Sequence, residues 1–284
     1  MVLYEGDGNS IYTSADLKEW TYQSHMAGFY ECPELFELPV DNDEGHKKWV
    51  MYGGDGDYMI GTFDGKTFSP ETDKLKYNYG SLYAAQTFNS APDKRRIQIG
   101  WGSYFYKGIR EARDKYLQSA TFPSELTLKT TPEGIRLLIN PVPELSLLYT
   151  KTHSIDNVKT GSEEVKEVLS NIKSKQLHIV AGVVLKNSST FGIDVNGYKI
   201  EYGNNTRVLN EKMEIGSPVN KELTLEIIVD RLSIEVYINN GLQYSYINYD
   251  SSDNEWGLSF TGSGSNVLKH LEIHELKSIW EDQN

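Results

Sequence analysis

The segment most able to do chemistry is Glu31-Cys32-Pro33-Glu34-Leu35-Phe36. An acid ahead of a fixed Cys-Pro pair, entering a Leu-Phe strand, can be aimed at one point in space, and a carboxyl group held that way transfers protons. Pro33 pins its own backbone and biases Cys32 toward an extended conformation. The same residue types equally describe a surface acid at a loop–strand junction, so taken alone they leave both readings open. Other acids carry weaker signals. Asp55 and Asp57 stand in Gly-Asp-Gly-Asp and Asp7 in Gly-Asp-Gly, positions where a carboxylate forms a turn rather than a nucleophile. Asp55-Gly56-Asp57 lacks the length and terminal Glu of a calcium loop. The six histidines are scattered; His270 and His274 lie in an alternating pattern that puts them on one face of a strand, so no metal site is expected. Cys32 is the one cysteine, which excludes an intrachain disulfide and a zinc site built on thiolates. Tyr30, Tyr83 and Trp101 offer faces that suit a sugar ring and equally suit packing between sheets.

Strands must position these residues. Short Tyr/Val/Ile/Leu runs alternate with Gly/Asp/Asn clusters along the chain, the all-β pattern. One helix is expected, in Ser162–Ile172, where Val165, Val168, Leu169 and Ile172 share a face and Thr160 with Glu163 forms a capping box. Leu3–Trp20 aligns without gaps on Met51–Phe68: Tyr4/Tyr52, Gly6/Gly54, Asp7/Asp55, Gly8/Gly56, Asp16/Asp64 and Lys18/Lys66 are identical. A weaker copy sets Lys47–Met51 against Arg95–Ile99. Repeats of about 40–50 residues built of strands and Gly-Asp turns are propeller blades. Residues 1–142 then hold about three blades, fewer than the four to eight that usually close a propeller, and blades ahead of Met1 are expected. A linker is expected over 143–160, and a β-sandwich over 161–284. The sandwich strands read as Leu177–Leu185, Phe191–Tyr202, Leu223–Val229, Ser233–Ile238, Trp256–Thr261 and Leu268–Ile279, with a type I′ turn at Asn240-Gly241.

Composition narrows the partners. The 284 residues carry 40 Asp+Glu against 28 Lys+Arg, a net charge of -12, which repels a phosphate backbone and argues against nucleic acid. No apolar run approaches the ~20 residues of a membrane helix, and mean hydropathy is -0.50. Residues 1–8 have neither the basic start nor the apolar stretch of a secretion signal. With 19 Tyr, 9 Phe, 5 Trp and 24 Gly, the chain has the make-up of a soluble β protein that handles sugars.

The motifs resemble those of glycoside hydrolase family 32, the β-fructosidases (levanases, inulinases, invertases). Glu31-Cys32-Pro33 with Leu35-Phe36 is similar to the family's Glu-Cys-Pro motif. Tyr52-Gly53-Gly54 through Tyr58, with Ile60-Gly61 and Phe63-Asp64-Gly65, is similar to the hairpin that follows. Tyr83-Ala84-Ala85-Gln86-Thr87-Phe88, Ile97–Trp101 and Phe122-Pro123-Ser124-Glu125-Leu126-Thr127-Leu128 resemble the later blades. Val229-Asp230-Arg231 with Ser233–Tyr237 resembles a strand of the family's C-terminal sandwich.

The resemblance implies a partial five-bladed-type propeller followed by a sandwich, and hydrolysis of β-fructosidic bonds in levan, inulin or sucrose with retention and no cofactor. It implies Glu31 as general acid/base, with Tyr30, Cys32, Tyr83 and Trp101 at the substrate. The family's nucleophile Asp, in a Trp-Met-Asn-Asp-Pro-Asn-Gly-type motif, and its stabilising Asp, in Arg-Asp-Pro, have no counterpart, since the sequence contains no Asp-Pro pair. Ser81 stands where many relatives carry an acid. The chain is therefore expected to be inactive alone and to need an N-terminal fragment or a second copy. Two other readings are a carbohydrate-binding remnant without catalysis, and a related five-bladed glycosidase acting on arabinose or xylose polymers.

Overall fold

The computed structural model describes residues 1–88, 90–102, 119–186, 190–203, 208–209, 213–214, 222–249, 257–262 and 266–280. The protein is all-β, with a partial propeller and a β-sandwich as two compact units.

The first unit begins with an antiparallel sheet of β1 (Val2–Glu5), β2 (Gly8–Thr13) and β3 (Thr21–Ala27). A second blade runs up and down through β4 (Glu34–Val40), β5 (Asp43–Tyr52), β6 (Asp57–Phe63) and β7 (Phe68–Pro70), with β8 (Leu75–Lys76) also on β6. In the third, β9 (Leu82–Thr87) pairs with β10 (Arg96–Gly102), which takes β11 (Ser119–Ala120) and β12 (Ser124–Thr131) on its other side; β13 (Gly134–Pro141) closes the sheet. Alternation fixes which face is buried: Phe36, Leu38 and Val40 on β4, Leu126 and Leu128 on β12. Between the first two blades Ile11, Phe29, Met51 and Phe68 are buried, flanked by Met26, Trp49 and Phe63.

The sequence repeat corresponds to two hairpins, β1–β2 and β5–β6, but their registers differ. Tyr4 pairs with Asn9, whereas its counterpart Tyr52 pairs with Tyr58, one residue further on. The recurring Asp16 and Asp64 do identical work: each accepts two backbone N–H groups, from Lys18 and Glu19 at 2.8 and 3.0 Å, and from Lys66 and Thr67 at 2.8 and 2.7 Å.

The first unit also includes Leu242–Tyr246. Tyr244 N donates to Tyr77 O, Tyr79 N to Tyr244 O and Ser81 N to Tyr246 O, each at 2.8 Å. Gly80 and Gly102 make room for this strand, since a Cβ at either would lie within 2.4 Å of Tyr246.

In the second unit the chain runs through β14 (Tyr149–Lys159), α1 (Glu163–Ser170), β15 (Leu177–Val184), β16 (Thr190–Val195), β17 (Tyr198–Gly203), β18 (Val208–Leu209), β19 (Met213–Glu214), β20 (Glu222–Val229), β21 (Ser233–Ile238), β23 (Leu258–Thr261) and β24 (Val267–Leu276); β22 (Gln243–Asn248) is the strand whose residues up to Tyr246 belong to the first unit. One sheet is ordered β14–β24–β15–β20–β21, the other β19–β18–β17–β16–β23. Leu177, Ile179, Ala181 and Val183 present one face of β15, opposite Ile273, Leu271 and Leu268 of β24, all at most 1% exposed.

Four expectations need correction. Residues 149–159, expected within a linker, form β14, paired along β24 and burying Ile155; the polar residues around that isoleucine hid the alternation. The helix cap is Ser162, whose hydroxyl accepts from Val165 N, and not Thr160. Phe191–Tyr202 is two strands turned at Asn196-Gly197, both at positive φ, a type I′ pair. The later turn comes one residue early: Gly241 N bonds Ile238 O around Asn239 and Asn240, at φ 51° and 58°. Trp256 lies outside the described residues.

The outer face of the first sandwich sheet carries a polar cluster. Tyr149 stacks on His274 with ring centroids 3.9 Å apart, and its hydroxyl meets His178 Nδ1 at 2.6 Å. Nε2 of His178 meets Glu226 at 2.8 Å, and Thr152 Oγ1 meets His274 Nδ1 at 2.9 Å. Burial first, then neighbouring His178, holds the His274 imidazole below the usual histidine range. A histidine that binds a proton less readily folded than unfolded contributes stability above about pH 6.5, lost as pH falls toward its folded value. Thermal unfolding should therefore show a lower Tm at about pH 5.5 than at 7.5, and His274→Phe, which keeps the ring stack, should reduce the difference; an equal drop in both proteins would refute the assignment.

Candidate active site

Glu31 sits on the connection from β3 into β4, and its geometry is set by the longer hairpin loop of the second blade. Gly54 N donates to Glu31 O at 2.7 Å, and Gly54 O accepts from Ala84 N at 2.9 Å. One residue thus ties the Glu31 connection to the start of β9. Only glycine fits there: a Cβ on Gly54 would stand 2.8 Å from Glu31 O and 3.3 Å from Cys32 Cβ. The loop is itself closed by Gly53 N to Asp57 O and Gly56 N to Gly53 O, at 3.0 and 3.1 Å.

Both segments that Gly54 joins are strained. Cys32 has φ 55° and Ala84 φ 49°, left-handed conformations that cost a non-glycine residue about 1–2 kcal/mol. The expectation of an extended Cys32 is overturned. Its carbonyl is held by Gln86 Nε2 at 3.2 Å and the preceding one by Gly54 N, and these bonds outweigh the bias that Pro33 imposes. Strain of this kind collects at functional sites.

The Glu31 carboxylate accepts a short hydrogen bond from the Tyr83 hydroxyl on β9. Burial first, and then this bond, raises the Tyr83 phenol well above the usual tyrosine range. Tyr83 in turn pairs across the strands with Trp101 of β10, the rings meeting edge-on with centroids 6.1 Å apart. A register shift between Ile99 and Trp101 re-aims the indole. Burial, then Glu31, raises the Cys32 thiol, which keeps it from acting as a thiolate. Tyr30 is 50% exposed, its ring against Tyr4 at 5.4 Å. Glu31, Cys32, Tyr83 and Trp101 thus come together through direct contacts; Tyr30 stands beside them with Tyr4 as its ring partner.

Sequence reasoning gave Tyr83 an aromatic face and missed its hydroxyl. It also missed Gln86. A Tyr facing an acid across two blades leaves no spacing pattern in the chain.

The other nearby acids are committed elsewhere. Glu34 accepts from Tyr52 Oη at 2.8 Å, Thr87 N at 3.0 Å and Thr87 Oγ1 at 3.1 Å. Asp55 accepts from Asp57 N at 3.1 Å, Asp57 pairs with Lys74 at 2.9 Å, and Glu125 with Arg95 at 3.0 Å. Glu31 thus lies beside the Tyr83 and Trp101 rings, with one carboxylate oxygen bonded by Tyr83. Among the described residues no cluster of His, Cys, Asp and Glu could hold a metal ion.

Residues 4–141 match the model for the glycosyl hydrolases family 32 N-terminal domain, and 144–275 the model for the family 32 C-terminal domain. The alternative of a different five-bladed family falls away with these matches. A levanase from Bacillus subtilis (strain 168) is 33% identical over 99% of this chain and 48% of its own length; a levanase from Bacillus sp. (strain L7) is 27% identical over 99% and 36%. The chain spans about half or less of these curated relatives. Among solved structures, an exo-inulinase from Aspergillus awamori superposes with TM-score 0.79 at 20% identity, covering 96% of this chain and 63% of that one. A Schwanniomyces occidentalis fructofuranosidase complexed with fructose gives 0.76 at 20%, over 96% and 66%. These likenesses carry the fold.

Gly54→Ala should destabilise the first unit by about 1–3 kcal/mol, read by urea unfolding; a change below about 0.5 kcal/mol would mean the Gly54 contact does not hold the site.

Proposed function

This chain belongs to glycoside hydrolase family 32, and we propose that it carries the acid/base half of a β-fructosidase active site, acting on β-fructosidic bonds in levan, inulin or sucrose. The observation that carries the reading is the Glu31 carboxylate, fixed through its carbonyl by Gly54 and through one oxygen by Tyr83 beside the Trp101 ring. In a retaining reaction Glu31 protonates the leaving glycosidic oxygen and then, as carboxylate, takes a proton from the water that releases fructose. No cofactor enters.

Retention requires a second carboxyl group about 5–5.5 Å from the first. Glu34, Asp55, Asp57 and Glu125 are bound elsewhere, and the family's Asp-Pro motifs do not occur in residues 1–284. The nucleophile and the stabilising acid are accordingly assigned to another segment, an N-terminal fragment or a second copy. Loss of a nucleophile costs on the order of 10⁴–10⁶ in rate, so the chain by itself is assigned little or no turnover.

The same commitment of the acids favours a second reading, a fructan-binding protein without catalysis.

Fructose release from levan, inulin and sucrose by the purified chain, alone and mixed with a family 32 N-terminal fragment carrying both Asp motifs, with Glu31→Gln as control, separates these readings. Release reduced by more than about 10²-fold in the mutant supports catalysis, with the second carboxylate donated within the assembly. Heat of binding on titration with fructan but no release supports the binding protein. Neither binding nor release at millimolar ligand sinks both.

A further inference from the structure

We propose that Tyr83 is a positioning residue for Glu31, fixing which carboxyl oxygen carries the proton; this rests on the reading of Glu31 as proton donor. The Tyr83 hydroxyl donates to Oε1 of Glu31 and is the hydrogen-bond partner of that carboxylate among the described residues. A carboxyl oxygen already accepting a hydrogen bond is the poorer site for a proton. In the acid form the proton therefore sits on Oε2, the oxygen left to face a leaving group.

The contact comes from rigid elements on both sides. Tyr83 lies on β9, paired with Trp101 of β10, and its ring is braced edge-on by that indole. The next residue, Ala84, is held in its strained conformation by its N–H bond to Gly54 O, and the same Gly54 holds the Glu31 carbonyl. Acid and phenol are thus fixed to each other twice, once through the hydroxyl and once through the backbone of a single glycine. This redundancy sets Tyr83 apart from an aromatic platform. A ring that served only to stack on sugar would not need its hydroxyl on the acid.

The bond also acts in time. The hydroxyl strengthens its donation as Glu31 gives up its proton, stabilising the anion left when the glycosidic bond breaks. In the second half-reaction it keeps the same oxygen occupied while Oε2 takes the proton of the attacking water. Tyr83 keeps its own proton throughout.

Two measurements test this. The first needs no turnover. In the chain labelled with ¹³C at tyrosine Cζ, the Tyr83 signal, assigned by its loss in Tyr83→Phe, should move in a single step on titration with acid. That step should vanish in Glu31→Gln. A Tyr83 signal without a step, or a step that persists in Glu31→Gln, overturns the contact and with it the proposal.

The second uses whichever assembly releases fructose. Tyr83→Phe should lower kcat on sucrose or fructan by about 10–100-fold with KM within about twofold. It should leave nearly unchanged kcat/KM for para-nitrophenyl β-fructofuranoside, which reports the first half-reaction alone and whose leaving group needs no proton. Equal losses on both substrates, or a change confined to KM, would mean a structural or sugar-binding role and overturn the proposal. No release from any assembly overturns the catalytic reading and the positioning role together, while a missing tyrosine step in a protein that does release fructose overturns only the role of Tyr83.

Discussion

The site depends on one glycine residue. Gly54 gives its N–H to the carbonyl of Glu31 and its C=O to the N–H of Ala84, so the acid and the tyrosine that bonds it are joined through the backbone of a third segment. A side chain at position 54 would occupy the space where those backbones pass. The two flanking left-handed residues, Cys32 and Ala84, are the cost of that close approach. Each such residue costs about 1–2 kcal/mol, of the same order as a hydrogen bond to a partner that would otherwise be unsatisfied. The arrangement holds because the bonds are made in pairs.

The hairpin repeat explains where that glycine comes from. In the first copy Gly6-Asp7 makes a tight turn between Tyr4 and Asn9. In the second, one more residue separates the paired tyrosines Tyr52 and Tyr58, and the added length becomes the Gly53–Gly56 loop that reaches Glu31 and Ala84. Identical residues at aligned positions thus serve a plain turn in one blade and a clamp in the next. Asp16 and Asp64 diverged in nothing; each still closes its turn by accepting two N–H groups.

Much of this was legible in the chain. The strands and the sandwich follow from alternation, and the repeated hairpin from its Gly-Asp turns; Glu31 stood out only through the resemblance carried by its Glu-Cys-Pro motif. What escaped has a common cause. Local rules gave Cys32 an extended backbone and Thr160 a cap, but long-range bonds overrode the first, and Ser162 offered its hydroxyl two residues later. β14 was missed because one buried isoleucine among polar residues leaves no period. The Tyr83 hydroxyl on Glu31 joins residues 52 positions apart, which no spacing encodes.

The strand Leu242–Tyr246 belongs to the propeller unit although it is encoded far beyond it. On a ribosome, the segment Tyr77–Ser81, which leads into the tyrosine of the site, is made early and waits for its hydrogen-bond partners while roughly 160 further residues are added, a delay of about 8–30 s. The polar groups of that edge stay open through the interval in which the sandwich sheets are being laid down. Completion of the sheet edge beside Tyr83 is thereby tied to nearly complete synthesis of the chain, so a product halted after Val142 would lack the strand that finishes it.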